Sequence, residues 1–97
     1  MVVATALLSL HLPQAQTLKD KRRIVKSILA RLQNEFSVSA AEVDTQDRSQ
    51  VATLGIAYVS SDASHANSVV SKAVGFVETG HWETWLSHYE LEILHVF

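Results

Sequence analysis

Ninety-seven residues suffice for one domain with a single core and fall short of two. A hydrophobic share of 47% against 19% charged residues excludes an intrinsically disordered chain, and the absence of Cys excludes disulfides, thiolate zinc sites and thiol catalysis. The net charge of −2 hides an uneven distribution. Residues 18–31 hold six of the eight Lys and Arg (Lys19, Lys21, Arg22, Arg23, Lys26, Arg31) with only Asp20 against them, a local +5; elsewhere Arg48 and Lys72 face nine acids, a local −7. This asymmetry implies a basic patch on an otherwise acidic surface.

Residues 1–15, MVVATALLSLHLPQA, have the apolar character of a secretory signal. They lack its basic leading segment, however, and His11 interrupts a run that is too short to span a bilayer. A buried strand over residues 2–12, closed by Pro13, is the expectation. Thr17 is placed to cap a helix, with Asp20 three residues on as a variant capping box. Val25, Ile28, Leu29, Leu32 and Phe36 then recur at helical intervals and mark its buried stripe. Residues 37–44 read as a second strand, Gln46-Asp47-Arg48 as a hairpin, and residues 50–60 as a third strand, strongly apolar. Ser61 or Asp62 caps a second helix with Ala66, Val69, Val70, Ala73 and Val77 on its inner face. Gly80 falls just past the end of that helix, and Gly75 inside it suggests close packing on a sheet. Tyr89–Ile93 alternates as a fourth strand.

Strand, helix, strand, strand, helix, strand in this length predicts an α+β, ferredoxin-like βαββαβ fold over residues 1–97, a four-stranded antiparallel sheet with both helices on one face. The other face is left to water or to a partner. Smaller side chains suit contact with helices, which places Leu54, Ile56 and Tyr58 on the open face. From the fourth strand either Tyr89, Leu91 and Ile93 or Leu94 and Val96 join them. A contiguous apolar patch of this kind marks an interface, so the expectation is a homodimer through Leu54, Ile56, Tyr58, Leu91 and Ile93, by sheet-face or edge-strand contact.

Catalytic and metal-binding patterns are weak. His81, His88 and His95 are seven apart, and along a strand an odd spacing sends successive members to opposite faces. His11 with Glu42, Asp44 or Asp47 is a conceivable metal site, without a ligand pair at helical spacing to support it. Ser61, Asp62 and His65 superficially supply nucleophile, acid and base, yet they crowd a helix start where Ser and Asp serve as caps. Three scattered glycines exclude a phosphate-cradling loop. Trp82 and Trp85 read as packing residues of a core or interface. No enzyme, cofactor, metal or small-molecule substrate is expected.

The basic segment is more pointed. Lys19, Arg22, Arg23 and Lys26 stand at i, i+3, i+4 and i+7 and form one strip along the helix surface. Like charges stacked at a helix N-terminus oppose the macrodipole, and a local rule broken without structural gain points to function. Phosphates of RNA are the matching partner, with Lys19, Lys21, Arg22, Arg23 and Lys26 as contacts. RNA-recognition motifs share this element order, and Gly55-Ile-Ala-Tyr-Val59 loosely parallels the aromatic run of their third strand, with Tyr58 at a stacking position. Ile56 replaces an aromatic there, and the first strand has none.

LHLP (residues 10–13), TLKDKRR, AEVDTQD and LGIAYVSSD together resemble the YlxP-like family of small uncharacterised bacterial proteins, over nearly the whole chain. The resemblance implies a ferredoxin-like fold, a cytoplasmic location and an association with translation, because such genes often neighbour those for ribosome maturation. It brings no catalytic residue. The family's basic motif falls on Leu18, Lys19, Asp20, Lys21 and Arg22, and its acidic hairpin on Glu42, Asp44, Gln46 and Asp47. Ser49 stands where many members carry an aromatic. The expectation is thus a non-enzymatic, RNA- or ribosome-associated protein. The alternative is a homodimeric protein-interaction module using its sheet face.

Overall fold

A computed structural model describes residues 1–80 and 83–97; the roles expected of His81 and Trp82 lie outside the described residues. The elements follow as β1 (Val2–His11), α1 (Leu18–Phe36), β2 (Ser39–Glu42), β3 (Val51–Ser60), α2 (Ala63–Thr79) and β4 (Trp85–His95). All three strand pairings are antiparallel, in the order β2-β3-β1-β4. The fold is α+β and ferredoxin-like.

Local chemistry sets the helix boundaries. Thr17 has extended backbone and its hydroxyl accepts the Asp20 N–H at 3.1 Å, while the Asp20 carboxylate accepts the Gln16 N–H at 3.4 Å. One helix N–H and the N–H just before the cap are thereby satisfied, the latter one position earlier than in a standard capping box. Ser37 ends α1 in the left-handed region at φ 54°, its N–H returning to the Gln33 carbonyl. Asp62, rather than Ser61, caps α2 by accepting the Ser64 N–H at 3.2 Å. Gly80 does follow α2, with extended backbone that needs no glycine. At Gly75 an added Cβ would meet nothing within 4 Å, so that glycine serves no close packing on the sheet.

β2 is shorter than its pattern suggests, and β4 is longer, beginning at Trp85. Ser87 forms a bulge in β4, where the register with β1 shifts between Ser9 and Leu10.

The helices cover the sheet face bearing Leu8, Leu10, Leu12, Leu54 and Ile56, which form one core with Ile24, Val25, Ile28 and Leu32 of α1 and Ala66, Val70, Ala73 and Val77 of α2. This reverses the expected assignment of faces. Leu54 and Ile56 are buried, and Tyr58, Leu91 and Ile93 are half-buried against the same core. None of the five belongs to the open face. Helices rather than solvent claim the large side chains, because each fully buried Leu or Ile contributes roughly 2–3 kcal/mol. The small residues Gly55 and Ala57 lie on the open side, where Val43 closes over Gly55: a Cβ there would stand 3.0 Å from Val43 Cγ1.

The open face is nonetheless apolar, through different residues. Leu7, Val43, Val59, Trp85 and Leu94 are its exposed large side chains. A shallow groove of about 710 Å³ crosses it, with Leu7, Val43, Gly55 and Ala57 on its apolar side and Glu90 and Glu92 along β4. Trp85 leans on His11, ring centroids 5.3 Å apart, which places His11 beside an aromatic rather than the acidic hairpin.

Candidate nucleic-acid interface on α1

Five cations were expected to form one contact surface, and the structure divides them. Lys19, Arg22, Arg23 and Lys26 are exposed along the outer side of α1. Lys21 has 0% of its side chain exposed and cannot touch a phosphate. Helical phase accounts for the difference. Lys21 lies three residues before Ile24, four before Val25 and seven before Ile28, all buried, and so occupies the apolar stripe rather than the strip beside it.

Burying an ammonium is tolerable only when its charge is paired and all its protons are bonded. Lys21 Nζ meets the Glu42 carboxylate at 2.6 Å and donates to the backbone carbonyls of Thr45 and Arg48. Three N–H donors thus find three acceptors. The chain of bonds continues: Thr45 Oγ1 donates to the same Glu42 oxygen at 2.9 Å and accepts the Thr53 N–H at 2.7 Å. The basic and acidic motifs meet here, and their meeting ties the β2–β3 loop to the first turns of α1. Pairing of Glu42 with a cation was not anticipated; the signal for it was Lys21 in phase with Ile24 and Ile28.

The four outer cations have few internal partners. Arg23 approaches Glu83 at 3.4 Å, with both side chains more than half exposed, a contact that solvent screens. Among the described residues, Lys19, Arg22 and Lys26 make no ion pair. Arg22 and Lys26 flank a groove of about 470 Å³ floored by Val25 and Leu29 and ending at Glu42. Arg31, in contrast, pairs with Glu35 at 2.8 Å and lies over the Phe76 ring.

Other candidate sites take structural roles. Asp62 is committed to the α2 cap, and His65 Nε2 lies 3.3 Å from the Tyr58 hydroxyl. Tyr58 faces α2 and is no stacking platform for a base. Among the described residues no three His, Asp or Glu side chains are placed to share a metal ion, and no helix is long and apolar enough to cross a membrane.

The family model described as "Protein of unknown function (DUF503)" matches residues 3–91. The chain is also 38% identical over 65 residues to "Uncharacterized protein YlxP" of Bacillus subtilis (strain 168), an alignment covering 67% of this chain and 71% of that protein.

Proposed function

The chain belongs to the DUF503 family, and from the geometry of α1 we propose that it is a non-enzymatic cytoplasmic protein that holds RNA, ribosomal RNA included, by its phosphate backbone. One observation carries this reading: Lys19, Arg22, Arg23 and Lys26 stand exposed in a continuous strip, three of them without an ion pair among the described residues, on a chain whose remainder is acidic. Such a strip attracts a polyanion while the acidic remainder repels it elsewhere, which orients the encounter.

Tyr58 is half-buried beneath α2 and offers no ring for a base to stack on, unlike the third strand of RNA-recognition motifs. Contacts through α1 are therefore electrostatic and indifferent to sequence. Filter binding of the full chain to ribosomal RNA at several salt concentrations tests the reading. Four phosphate contacts predict a slope of log K against log salt of about −3, from roughly −0.7 to −0.9 per contact. Affinity that ignores salt, or that survives Arg22→Ala with Arg23→Ala, contradicts it.

A second reading rests on a different observation, the exposed apolar side chains Leu7, Val43, Val59, Trp85 and Leu94 on the open sheet face. An interaction module would use that face on a protein and leave α1 as solvated surface. Substituting Val59→Lys with Leu94→Lys separates the two: RNA retention unaffected by those changes favours α1.

A further inference from the structure

The sheet has two edges, and their outward backbone groups are treated differently. On the β2 side, the Val43 N–H donates to the Thr53 carbonyl at 2.9 Å. Bonded residues alternate along an antiparallel ladder, so Ala40 and Glu42 turn their N–H and C=O groups outward. Both outward carbonyls are occupied by glutamine side chains: Gln33 Nε2 donates to Ala40 O at 2.9 Å, and Gln46 Nε2 to Glu42 O at 3.1 Å. This edge is also only four residues long. Short length and capped carbonyls discourage any added strand.

Among the described residues the β4 edge has no such protection. The Val96 N–H donates to the Met1 carbonyl at 2.8 Å. In the β1–β4 register the same alternation gives His88, Glu90, Glu92 and Leu94 to β1, so that Tyr89, Leu91 and Ile93 point their backbone groups outward. None of those groups meets a hydrogen-bond partner among the described residues. The strand runs for 11 residues and contains no Pro, Lys or Arg.

We infer that β4 pairs antiparallel with β4 of a second copy about a two-fold axis, joining two four-stranded sheets into one of eight. Among two-fold axes at residues 89–92, charge along the strand favours one register. A two-fold axis at Glu90 or Glu92 opposes each acid to itself, and one at Leu91 opposes Glu90 to Glu92; like charges directly across a ladder are unfavourable. An axis at Tyr89 instead sets His88 opposite Glu90 of the second copy, twice, and brings the two exposed Tyr89 rings together. The strand is thus self-complementary, as a two-fold interface requires. This contact leaves the α1 strip and the apolar side chains of the open face free, meeting that face only at His88 and Glu90 on its rim, so it stands independently of both functional readings.

Sedimentation velocity of the full chain from roughly 1 to 100 µM tests the inference. A dimer that dissociates on dilution is expected. Tyr89→Pro removes an outward N–H at the axis without touching the β1 ladder, a placement edge strands tolerate; it is expected to weaken the dimer at least tenfold with unchanged circular dichroism. His88→Glu sets acids opposite acids and is expected to weaken it about tenfold. It also decides the question should the proline variant fail to fold. Adding Glu90→Lys to His88→Glu sets opposite charges across the axis and should recover the dimer. A monomer throughout the range overturns the inference. So does a dimer indifferent to His88→Glu, which would place the contact elsewhere.

Discussion

Lys21 and Arg22 are neighbours in the chain and opposites in the molecule. One is buried, its ammonium meeting a carboxylate and two carbonyls; the other is exposed and has no ion pair among the described residues. Charge alone does not distinguish a ligand-binding cation from a structural one. A rotation of about 100° around the helix axis does, because it exchanges solvent for the core. The long aliphatic stem of Lys21 packs with the apolar stripe, and only its terminal nitrogen needs polar company.

Four sets of substitutions test this contrast. The largest effect is expected from Lys21→Met, which strands the Glu42 carboxylate and two carbonyls: a loss of roughly 3–5 kcal/mol in urea unfolding, with RNA affinity of the folded fraction unchanged. A smaller loss, about 2 kcal/mol, is expected for Thr45→Val, since the isosteric side chain leaves the Thr53 N–H without its acceptor. Should Thr45→Val prove neutral in the same measurement, the hydroxyl relay is not what holds the loop. Arg22→Ala with Arg23→Ala should change stability by less than about 0.5 kcal/mol while flattening the salt dependence of RNA binding by about 2 in slope. That pair of results separates surface from tie: the outer cations alter binding and spare the fold, whereas Lys21 alters the fold and spares binding. Gly75→Ala, remote from both, provides a scale for these changes. Its new Cβ meets nothing, so a gain of about 0.5–1 kcal/mol in helix stability is expected, and a loss would show that α2 needs the glycine after all.

The arrangement of elements was legible because it depends on local signals. Thr17 and Asp62 cap their helices through bonds spanning two or three residues, and the apolar stripe of α1 follows from spacing alone. The faces of the sheet were not legible. Strand alternation separates Leu54, Ile56 and Tyr58 from Gly55, Ala57 and Val59 equally well whichever set meets the helices. Val43, which closes over Gly55, directly follows β2, whose register the sequence does not specify. The β4 segment was truncated at its start because the bulge at Ser87 disrupts the period of two on which the reading relied.

The candidate site was legible in part. Lys19, Arg22, Arg23 and Lys26 are where the spacing placed them. A stripe that starts at Val25 leaves Lys21 among the surface cations. Extended one turn toward the N-terminus, the same period includes Lys21 and excludes Arg22.

The order and type of the elements, the Thr17 cap of α1, the start of α2 at Ser61 or Asp62, and the concentration of positive charge on one helix were all set by the sequence. These are properties of residues within a few positions of each other, where backbone geometry alone sets the contacts. Only the tertiary structure decided which sheet face the helices cover, that the two charged motifs close on each other through Lys21 and Glu42, and that one sheet edge is capped while the other, among the described residues, is bare. Each depends on groups brought together from distant parts of the chain, and burial, rather than residue type, gives those groups their roles.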